Sequence, residues 1–233
     1  MPEPPASDRV PASAWRLLAI LTAFNVLNFV DRQLIPSLAP LIIADLGLTR
    51  ADLGLLIWFT FVLFYTLVGM VLGVAADRWS RRWLIAGGLA LWSAMTAVSG
   101  SARSLAGLAV PRVLLGVGEA TLTPAALSML GDAFPPRRLG FASGMYYACL
   151  PIGTALSLAL AGWIAPRFGW RACFYVLGGL GLLAVGLLAF VREPQRGGAT
   201  AASGAAAAPA TMGALARDLW RAQIGRASCR ERV

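Results

Sequence analysis

A charged decapeptide, GVAADRWSRR at residues 73–82, lies between two long segments that contain no charged residue. Residues 53–76 carry no Asp, Glu, Lys or Arg, and neither do residues 83–102. Each flanking segment is long enough to cross about 30 Å of hydrocarbon as a helix. The charged residues of the decapeptide are therefore predicted to form a short loop at a membrane face.

The residue types of this loop suit that position. Gly73 has no side chain, so a neighbouring helix can approach it closely. Asp77 and Arg81 are four residues apart and can pair on one helical face if the preceding helix continues into the loop. Arg78, Arg81 and Arg82 fit a cytoplasmic loop by the positive-inside rule. On spacing alone, a topology signal with a solvated ion pair explains the loop as well as a functional element does.

The composition is that of a polytopic membrane protein: 58% of the residues are hydrophobic and only 13% are charged. All 20 basic residues are Arg, and the chain has no His. The lack of His removes His-based metal sites and Ser-His-Asp or Cys-His catalysis, and leaves carboxylates as proton carriers in the membrane. Cys149, Cys173 and Cys229 show no disulfide or metal-ligand spacing. We therefore expect no enzyme activity, no metal and no cofactor.

The net charge of +9 is explained by membrane topology instead of nucleic-acid binding, because the arginines lie in loops between apolar segments. One face is predicted to carry Arg9, Arg16, Arg78, Arg81, Arg82, Arg137, Arg138, Arg192 and Arg196. The opposite face has Arg50, Arg103, Arg167 and Arg171. This bias predicts a multi-pass protein of the inner (plasma) membrane with both termini in the cytoplasm. No signal peptide is expected, because the first apolar run continues as a span.

The apolar runs predict an all-α fold of six membrane-spanning helices. The predicted spans are residues 15–44, 53–76, 83–101, 105–129, 139–165 and 172–191. Residues 46–52 are predicted to form a short loop after the first span.

The predicted organisation has five parts. It comprises a disordered N-terminus at 1–14, a six-helix bundle at 15–192, a Gly/Ala-rich cytoplasmic linker at 193–210, an amphipathic interfacial helix at 211–223 and a non-native tail at 224–233. The tail IGRASCRERV matches the translation of a common sequencing adapter. We therefore expect the reading frame to be cut within a longer gene.

Charged and polar residues interrupt two of the spans. Asn25, Asn28 and Arg32 recur at helical spacing in the first span, with Asp31 beside them. A polar face at this depth requires a partner or water, and Asn25 and Asn28 are predicted, with Arg32, to contact substrate.

The fourth span carries the second polar pair. Arg112 and Glu119 are seven residues apart and share a helical face, while Pro111 and Pro124 interrupt the hydrogen bonding of the same span.

These side chains suit proton and anion binding. A carboxyl in a low-dielectric cavity favours its neutral form, so Glu119 is predicted to bind a proton when desolvated and to release it when water or Arg112 approaches. Asp31 is expected to be held ionised while it lies beside Arg32, and it is predicted, with Glu119, to take part in proton coupling. Either Arg32 or Arg112 can bind a phosphate or carboxylate through two parallel hydrogen bonds. The alternative is that the four charges only neutralise one another and hold the two spans together.

A short internal similarity indicates a repeat. GWIAPRFGWR at 162–171 aligns with GVAADRWSRR at 73–82, with Gly, Ala and two Arg at equal spacing. Spans one to three are then related to spans four to six as an inverted three-plus-three repeat.

The decapeptide, with its pattern G-x-x-x-D-R-x-x-R-R between the second and third spans, resembles the signature loop of the major facilitator superfamily of secondary transporters. NVLNFVDR at 25–32, RVLLGVGEA at 112–120 and PIG at 151–153 further resemble the spinster family of lysolipid and sphingolipid transporters. The resemblance covers about residues 15–192.

This resemblance implies the amino-terminal half of a twelve-helix, alternating-access transporter, with the second half as its partner. It implies a cavity for an amphipathic or anionic substrate such as a lysolipid, coupled to protons. The resemblance also implies that Asp31, Arg32, Arg112 and Glu119 face the cavity. The signature loop, with Gly73, Asp77, Arg78, Arg81 and Arg82, is then a gate that braces the two halves.

Two alternatives remain. The first is an organic-anion symporter of the same superfamily, for a sugar acid or an aromatic acid, with a tighter and more polar pocket. The second, from another class, is a non-transporting membrane sensor or an intramembrane enzyme, although no residue pattern supports catalysis. A multidrug antiporter is disfavoured, because LPIGT at 150–154 lacks the Gly-Pro-x-x-Gly-Gly pattern of drug/proton antiporters.

Overall fold

The computed structural model describes residues 10–60, 62, 65–69, 79–188, 191 and 193–196. The chain divides into two units, Met1–Ala199 and Thr200–Val233, and every described residue belongs to the first. The described part is helical, with eight α-helices and one π-helical segment. The α-helices are α1 (Ala12–Leu46), α2 (Arg50–Gly54), α3 (Arg81–Ser99), α4 (Leu105–Glu119), α5 (Leu122–Ala133), α6 (Pro136–Tyr147), α7 (Cys149–Phe168) and α8 (Trp170–Leu187).

Helix α1 covers the whole first predicted span as one element of 35 residues. At 1.5 Å per residue it is roughly 52 Å long, well beyond the hydrocarbon thickness of about 30 Å. Pro36 and Pro40 lie inside it, and Gly47 ends it in the left-handed conformation with φ 63°. The polar residues of the first span therefore lie on an uninterrupted helix, as the periodicity predicted.

The prediction of a loop at residues 46–52 is wrong at its end, because α2 begins at Arg50. Thr49 accepts a hydrogen bond from the Asp52 backbone at 3.2 Å, and the Asp52 carboxylate accepts one from the Thr49 backbone at 2.8 Å. This reciprocal capping box starts the helix. The hydrogen bonds from the Thr49 hydroxyl and backbone also lower the pKa of the Asp52 carboxyl.

Prolines divide the fourth and fifth predicted spans. Helices α4 and α5 are separated at Ala120 and Thr121, and Pro124 follows within one turn. Helices α6 and α7 meet at Ala148, and Pro151 follows in the same way. Because proline clashes with the carbonyl four residues before it, the break before Pro124 agrees with the predicted interruption of the fourth span. Pro111, which was also predicted to interrupt that span, lies inside α4, and the break before Pro151 was not predicted.

Four described segments are long and apolar enough to cross a membrane by length and composition: Ala12–Leu46, Leu105–Ala133, Pro136–Phe168 and Trp170–Leu187. Helix α3 covers most of the predicted third span, but it begins at Arg81, so Arg81 and Arg82 lie in the helix and not in the predicted loop. The second span is described only in part, through α2, the π-helical segment Leu55–Thr60 and residues 62 and 65–69. Six spans in an inverted repeat therefore stay a prediction. Residues 1–9, the loop residues 73–78, and the predicted interfacial helix and tail lie outside the described residues, as does most of the linker.

Small residues let the helices approach closely. A methyl group at Gly153 on α7 would lie 2.6 Å from Cβ of Phe29 on α1, and one at Gly118 would lie 2.8 Å from the carbonyl oxygen of Gly88 on α3. Glycine is therefore required where α1 meets α7 and where α3 meets the end of α4.

Two apolar clusters make up the core, and α1 passes through both. Leu21 and Phe24 belong to the first cluster, and Leu34 and Leu38 belong to the second. Between them, α1 presents the polar residues of the 25–32 segment. The fold thus places a polar layer between two apolar layers.

Candidate functional site

The polar layer lies near the middle of α1. Asp31 is 19 residues from the start of the helix and 15 from its end, which is roughly 28 Å and 22 Å along the axis. The layer is completed by Thr96 on α3 and by Arg112 and Glu119 on α4, all of which are buried. Charged groups at this depth are costly and are usually functional.

Arg32 and Glu119 form the tighter of two ion pairs. Nε of Arg32 donates to Oε2 of Glu119 at 2.8 Å. The Arg32 side chain is 23% exposed, while that of Glu119 is fully buried. The Arg32 guanidinium also lies over the rings of Tyr65, at 4.4 Å, and Phe29, at 5.4 Å. Arg32 is thus a partly exposed cation that contacts two aromatic rings.

Asp31 and Arg112 form the second pair, which is looser and more deeply buried. Nη1 of Arg112 lies 3.6 Å from Oδ2 of Asp31, and the two side chains are 2% and 1% exposed. Oδ1 of Asp31 accepts a hydrogen bond from the Thr96 hydroxyl at 2.9 Å. Oδ2 of Asp31 and Oε1 of Glu119 have no hydrogen-bond partner within the described ranges. Asp31 is therefore held by Thr96 more closely than by its counter-ion.

The pairing is crossed between the helices: each arginine pairs with a carboxylate of the other helix. This arrangement requires Arg112 and Glu119 to share one face of α4, as the spacing of seven predicted. The structure therefore brings together the four charged residues that the sequence singled out. Their roles in proton coupling and substrate binding remain predictions.

The two asparagines of α1 lie in different surroundings. Nδ2 of Asn25 donates to the Tyr146 carbonyl at 3.2 Å and to Sγ of Cys149 at 2.9 Å, across the α6–α7 break. Asn28 is also buried, and its Nδ2 has no partner in the part of the chain that the structure describes. Asn25 thus links α1 to the junction of α6 and α7. The side-chain amide of Asn28 keeps a hydrogen-bond donor that no described residue uses.

Arg81 is the one charged residue of the signature loop that is fully buried in the described structure, and its contacts gather three chain segments. Its guanidinium pairs with Asp132 at the end of α5 and with Glu193 after α8, the latter at 3.1 Å. It also donates to the Ser128 hydroxyl at 3.0 Å and to the Pro194 carbonyl at 2.9 Å. We call this set the Arg81 cluster.

Glu193 also binds the first residues of α3. It accepts hydrogen bonds from the Ser80 hydroxyl at 2.6 Å and from the Arg81 backbone at 3.1 Å. Burial of Glu193 opposes ionisation, but the hydrogen bonds from Ser80 and Arg81 outweigh it and lower the pKa of the Glu193 carboxyl. A carboxylate at a helix N-terminus is further stabilised by the helix dipole. Arg82, the next residue, lies 5.7 Å from the ring of Trp83.

The opposite ends of the helices are joined by a smaller set of contacts. Arg171, at the start of α8, pairs with Asp45 of α1 at 2.7 Å and donates to the Ala102 carbonyl at 3.0 Å. Trp170 donates from its ring nitrogen to Asp45 at 3.3 Å. Arg171 and Asp45 are about one-third to two-fifths exposed, so this pair is a surface interaction.

Sequence reasoning missed several members of these sites. Thr96 is an ordinary helix residue in an apolar run, and nothing in its neighbourhood marks it. Asp132 and Glu193 follow apolar segments at the predicted cytoplasmic face, which was a usable signal for partners of Arg81. Tyr65 lies in an uncharged span and has no local signal.

Comparison with known proteins identifies the family. The family model of the Major Facilitator Superfamily matches residues 21–228. An MFS-type efflux pump of Mycolicibacterium smegmatis is 33% identical over 78% of this chain and 42% of the relative. The hexuronate transporter of Bacillus subtilis is 30% identical over 82% of the chain and 44% of the relative.

A solved structure shows the same relationship. The inward-facing, unoccupied crystal structure of a bacterial homologue of the human lysosomal transporter Spinster is 32% identical, with a TM-score of 0.73 over 79% of this chain and 44% of that one. The chain spans less than half the length of these relatives. It is therefore a multi-pass membrane protein that belongs to the Major Facilitator Superfamily of transporters and is similar to the spinster members of that superfamily.

Proposed function

We propose that this chain is the amino-terminal half of a proton-coupled secondary transporter with alternating access, and that its substrate is an amphipathic or anionic molecule such as a lysolipid. The observation that carries the proposal is the pair of crossed ion pairs between α1 and α4, buried near the middle of α1. Such groups can exchange a counter-ion for a proton or for a substrate. The second half supplies the other wall of the cavity.

The exposure of the four charges suggests how proton and substrate are linked. Arg32 is the partly exposed member, and its counter-ion Glu119 is buried. Protonation of Glu119 removes that negative charge and leaves the Arg32 guanidinium able to bind a phosphate or carboxylate. The rings of Tyr65 and Phe29 beside Arg32 then contact the apolar part of an amphipathic substrate.

We propose the same exchange of proton and substrate for the buried pair of Asp31 and Arg112. Asp31 is the second proposed proton carrier, and Arg112 and Asn28 are proposed to contact substrate when Asp31 is neutral. Asn25 contributes by holding the α6–α7 break beside the cavity.

The signature loop is proposed to be the gate. Gly73, Asp77 and Arg78 are proposed to contact the second half, while Arg81 and Arg82 begin α3. The Arg81 cluster ties this start to the ends of α5 and α8. A movement of the loop is thereby transmitted to two other helices.

The test is uptake by the full-length protein in liposomes with an imposed pH gradient, using a radiolabelled anionic lysophospholipid. Glu119→Gln should abolish gradient-driven uptake and spare substrate exchange, because the residue can no longer change charge. Arg112→Ala should weaken substrate binding, seen as a higher KM. Asp52→Asn makes the same chemical change as Glu119→Gln at a solvated carboxylate and is the matched control. Unchanged gradient-driven uptake in Glu119→Gln would remove Glu119 from the coupling role.

The second candidate is a proton symporter for a small organic acid. It is favoured by the similarity to a hexuronate transporter and by an arginine-rich site that suits any carboxylate. The same liposomes decide between the two: uptake of a labelled hexuronate without uptake of the lysophospholipid would establish this second candidate.

A further inference from the structure

We propose that Thr96 is a positioning residue that hydrogen-bonds Asp31 in both of its protonation states by exchanging the direction of one hydrogen bond. The proposal rests on the proposed role of Asp31 as a proton carrier. It assigns to α3 a part in the site that neither the charge pattern nor the family signature indicates.

The Thr96 hydroxyl group has a single proton to share between two acceptors. The Thr96 hydroxyl oxygen lies 2.9 Å from Oδ1 of Asp31 and also 2.9 Å from the backbone carbonyl of Trp92. Both of these atoms accept hydrogen bonds when Asp31 is ionised, but a hydroxyl group carries only one proton. With an ionised Asp31, one of the two contacts must therefore lack a hydrogen.

Protonation of Asp31 satisfies both contacts. A proton taken up from water onto Oδ1 lets that oxygen donate to the Thr96 hydroxyl oxygen, and the Thr96 proton then turns to the Trp92 carbonyl. Loss of the Asp31 proton to water reverses both steps, and Thr96 itself never gives up a proton. The bond from a threonine hydroxyl to the carbonyl four residues earlier is common in helices, so the second position is a stable one.

The charged neighbours of Asp31 do not replace this function. The charged and titratable groups around Asp31 within the described ranges are Arg112 and Glu119 from α4 and Arg32 from α1 itself. Nη1 of Arg112 lies 3.6 Å from Oδ2 of Asp31, which is longer than a hydrogen bond. Helix α3 contributes the neutral Thr96 hydroxyl to the surroundings of Asp31, whereas α4 contributes charged groups. Glu119 also lies within hydrogen-bonding reach of the Asp31 carboxyl, but Glu119 changes charge itself, whereas the Thr96 hydroxyl stays neutral whichever charge state Asp31 has.

The experiment is an infrared pH titration of the 233-residue chain in lipid, because the carbonyl band of a protonated carboxyl reports its hydrogen bonding. Labelling with ¹³C-aspartate separates aspartate bands from that of Glu119, and loss of the band in Asp31→Asn assigns it. In Thr96→Val the band should move to higher frequency, because the Asp31 hydroxyl loses its acceptor. The midpoint of its titration should shift little, because the variant removes one charge-assisted hydrogen bond from the ionised state and two neutral ones from the protonated state, and the former is about twice as strong as each of the latter. Thr96→Ser should keep the wild-type band and midpoint.

Two outcomes would overturn the proposal. One is a Thr96→Val band at the wild-type frequency, and the other is the absence of any Asp31 band down to the lowest pH at which the chain stays helical. Thr96→Ala is a second hydroxyl-free variant should the valine fail to fold. The titration needs no substrate, so its result is independent of the uptake assay. Normal proton-driven uptake in an Asp31→Asn full-length protein would refute the coupling role while leaving the infrared result intact.

Discussion

Replacement of Arg81 by alanine should destabilise the chain by about 3 kcal/mol. The side chain is 1% exposed and faces two carboxylates, Asp132 and Glu193, which are 16% and 24% exposed. Breaking a buried ion pair costs roughly 3–5 kcal/mol, because the partner charge is left uncompensated. Water can reach the two carboxylates in the variant, so we place the loss at the lower end of that range. The lost hydrogen bonds to Ser128 and Pro194 are included in this figure.

Two buried cysteines provide the assay. Cys149 and Cys173 are both fully buried, so a thiol-reactive fluorescent dye labels them only when the chain unfolds. A Cys229→Ser background removes the cysteine of the tail. For a chain of this length a loss of about 3 kcal/mol corresponds to a Tm lower by roughly 6–12 °C.

The matched control is Arg138→Ala, which removes one positive charge from an exposed residue of the same face. It should change Tm by less than about 2 °C, because surface substitutions alter stability by about half a kcal/mol or less. The reasoning is refuted if Arg81→Ala and Arg138→Ala lower Tm equally, since the effect would then follow net charge and not the Arg81 cluster.

Two further predictions concern packing and pH. Gly153→Ala should lower Tm, because the new methyl group would lie 2.6 Å from Cβ of Phe29, and overpacking costs about 1–3 kcal/mol; Gly162→Ala, where no atom lies within 4 Å, should not lower it. Hydrogen bonds lower the pKa of Glu193 in the folded chain from its ordinary value of 4.5. They therefore stabilise the folded chain fully at pH values above 4.5. This stabilisation should be lost as the pH falls through the lower pKa that Glu193 has in the folded chain. Glu193→Gln should be less stable near neutral pH and should lose less stability on acidification; an acid limb identical to that of the wild type would contradict this account.

The long helix of the first span could be predicted from its apolar run, and Pro36 and Pro40 do not break it. The break in the fourth span could be predicted from Pro124, which lacks a backbone donor. The break before Pro151 was not predicted, and Pro111 lies inside α4 without breaking it.

The start of α2 also has a local cause, because Thr49 and Asp52 form a recognisable cap. The prediction of a loop there was therefore wrong although the sequence carried the signal. The resemblance to transporters of the Major Facilitator Superfamily is confirmed by the family model.

The pairing within the site could not be predicted in the same way. Spacing places Arg112 and Glu119 on one face of α4, but the rotation and height of α1 against α4 decide which carboxylate meets which arginine. Thr96 depends in addition on α3, whose position is set by contacts such as that between Gly88 and Gly118. Tertiary packing decides these contacts, and no single helix carries the information.

The unequal geometry of the two ion pairs bears on whether they merely neutralise charge. In a medium of effective dielectric about 20, the attraction is roughly 6 kcal/mol at 2.8 Å and roughly 5 kcal/mol at 3.6 Å, and desolvation offsets much of either. A proton that crosses a potential of 100 mV releases about 2.3 kcal/mol, which is comparable with the net strength of such a pair. Neutralisation and coupling are therefore compatible: the pairs hold α1 against α4 while both are ionised, and protonation of one carboxylate weakens one of two contacts. A strictly structural pair would gain nothing from an arginine left partly open to solvent, as Arg32 is.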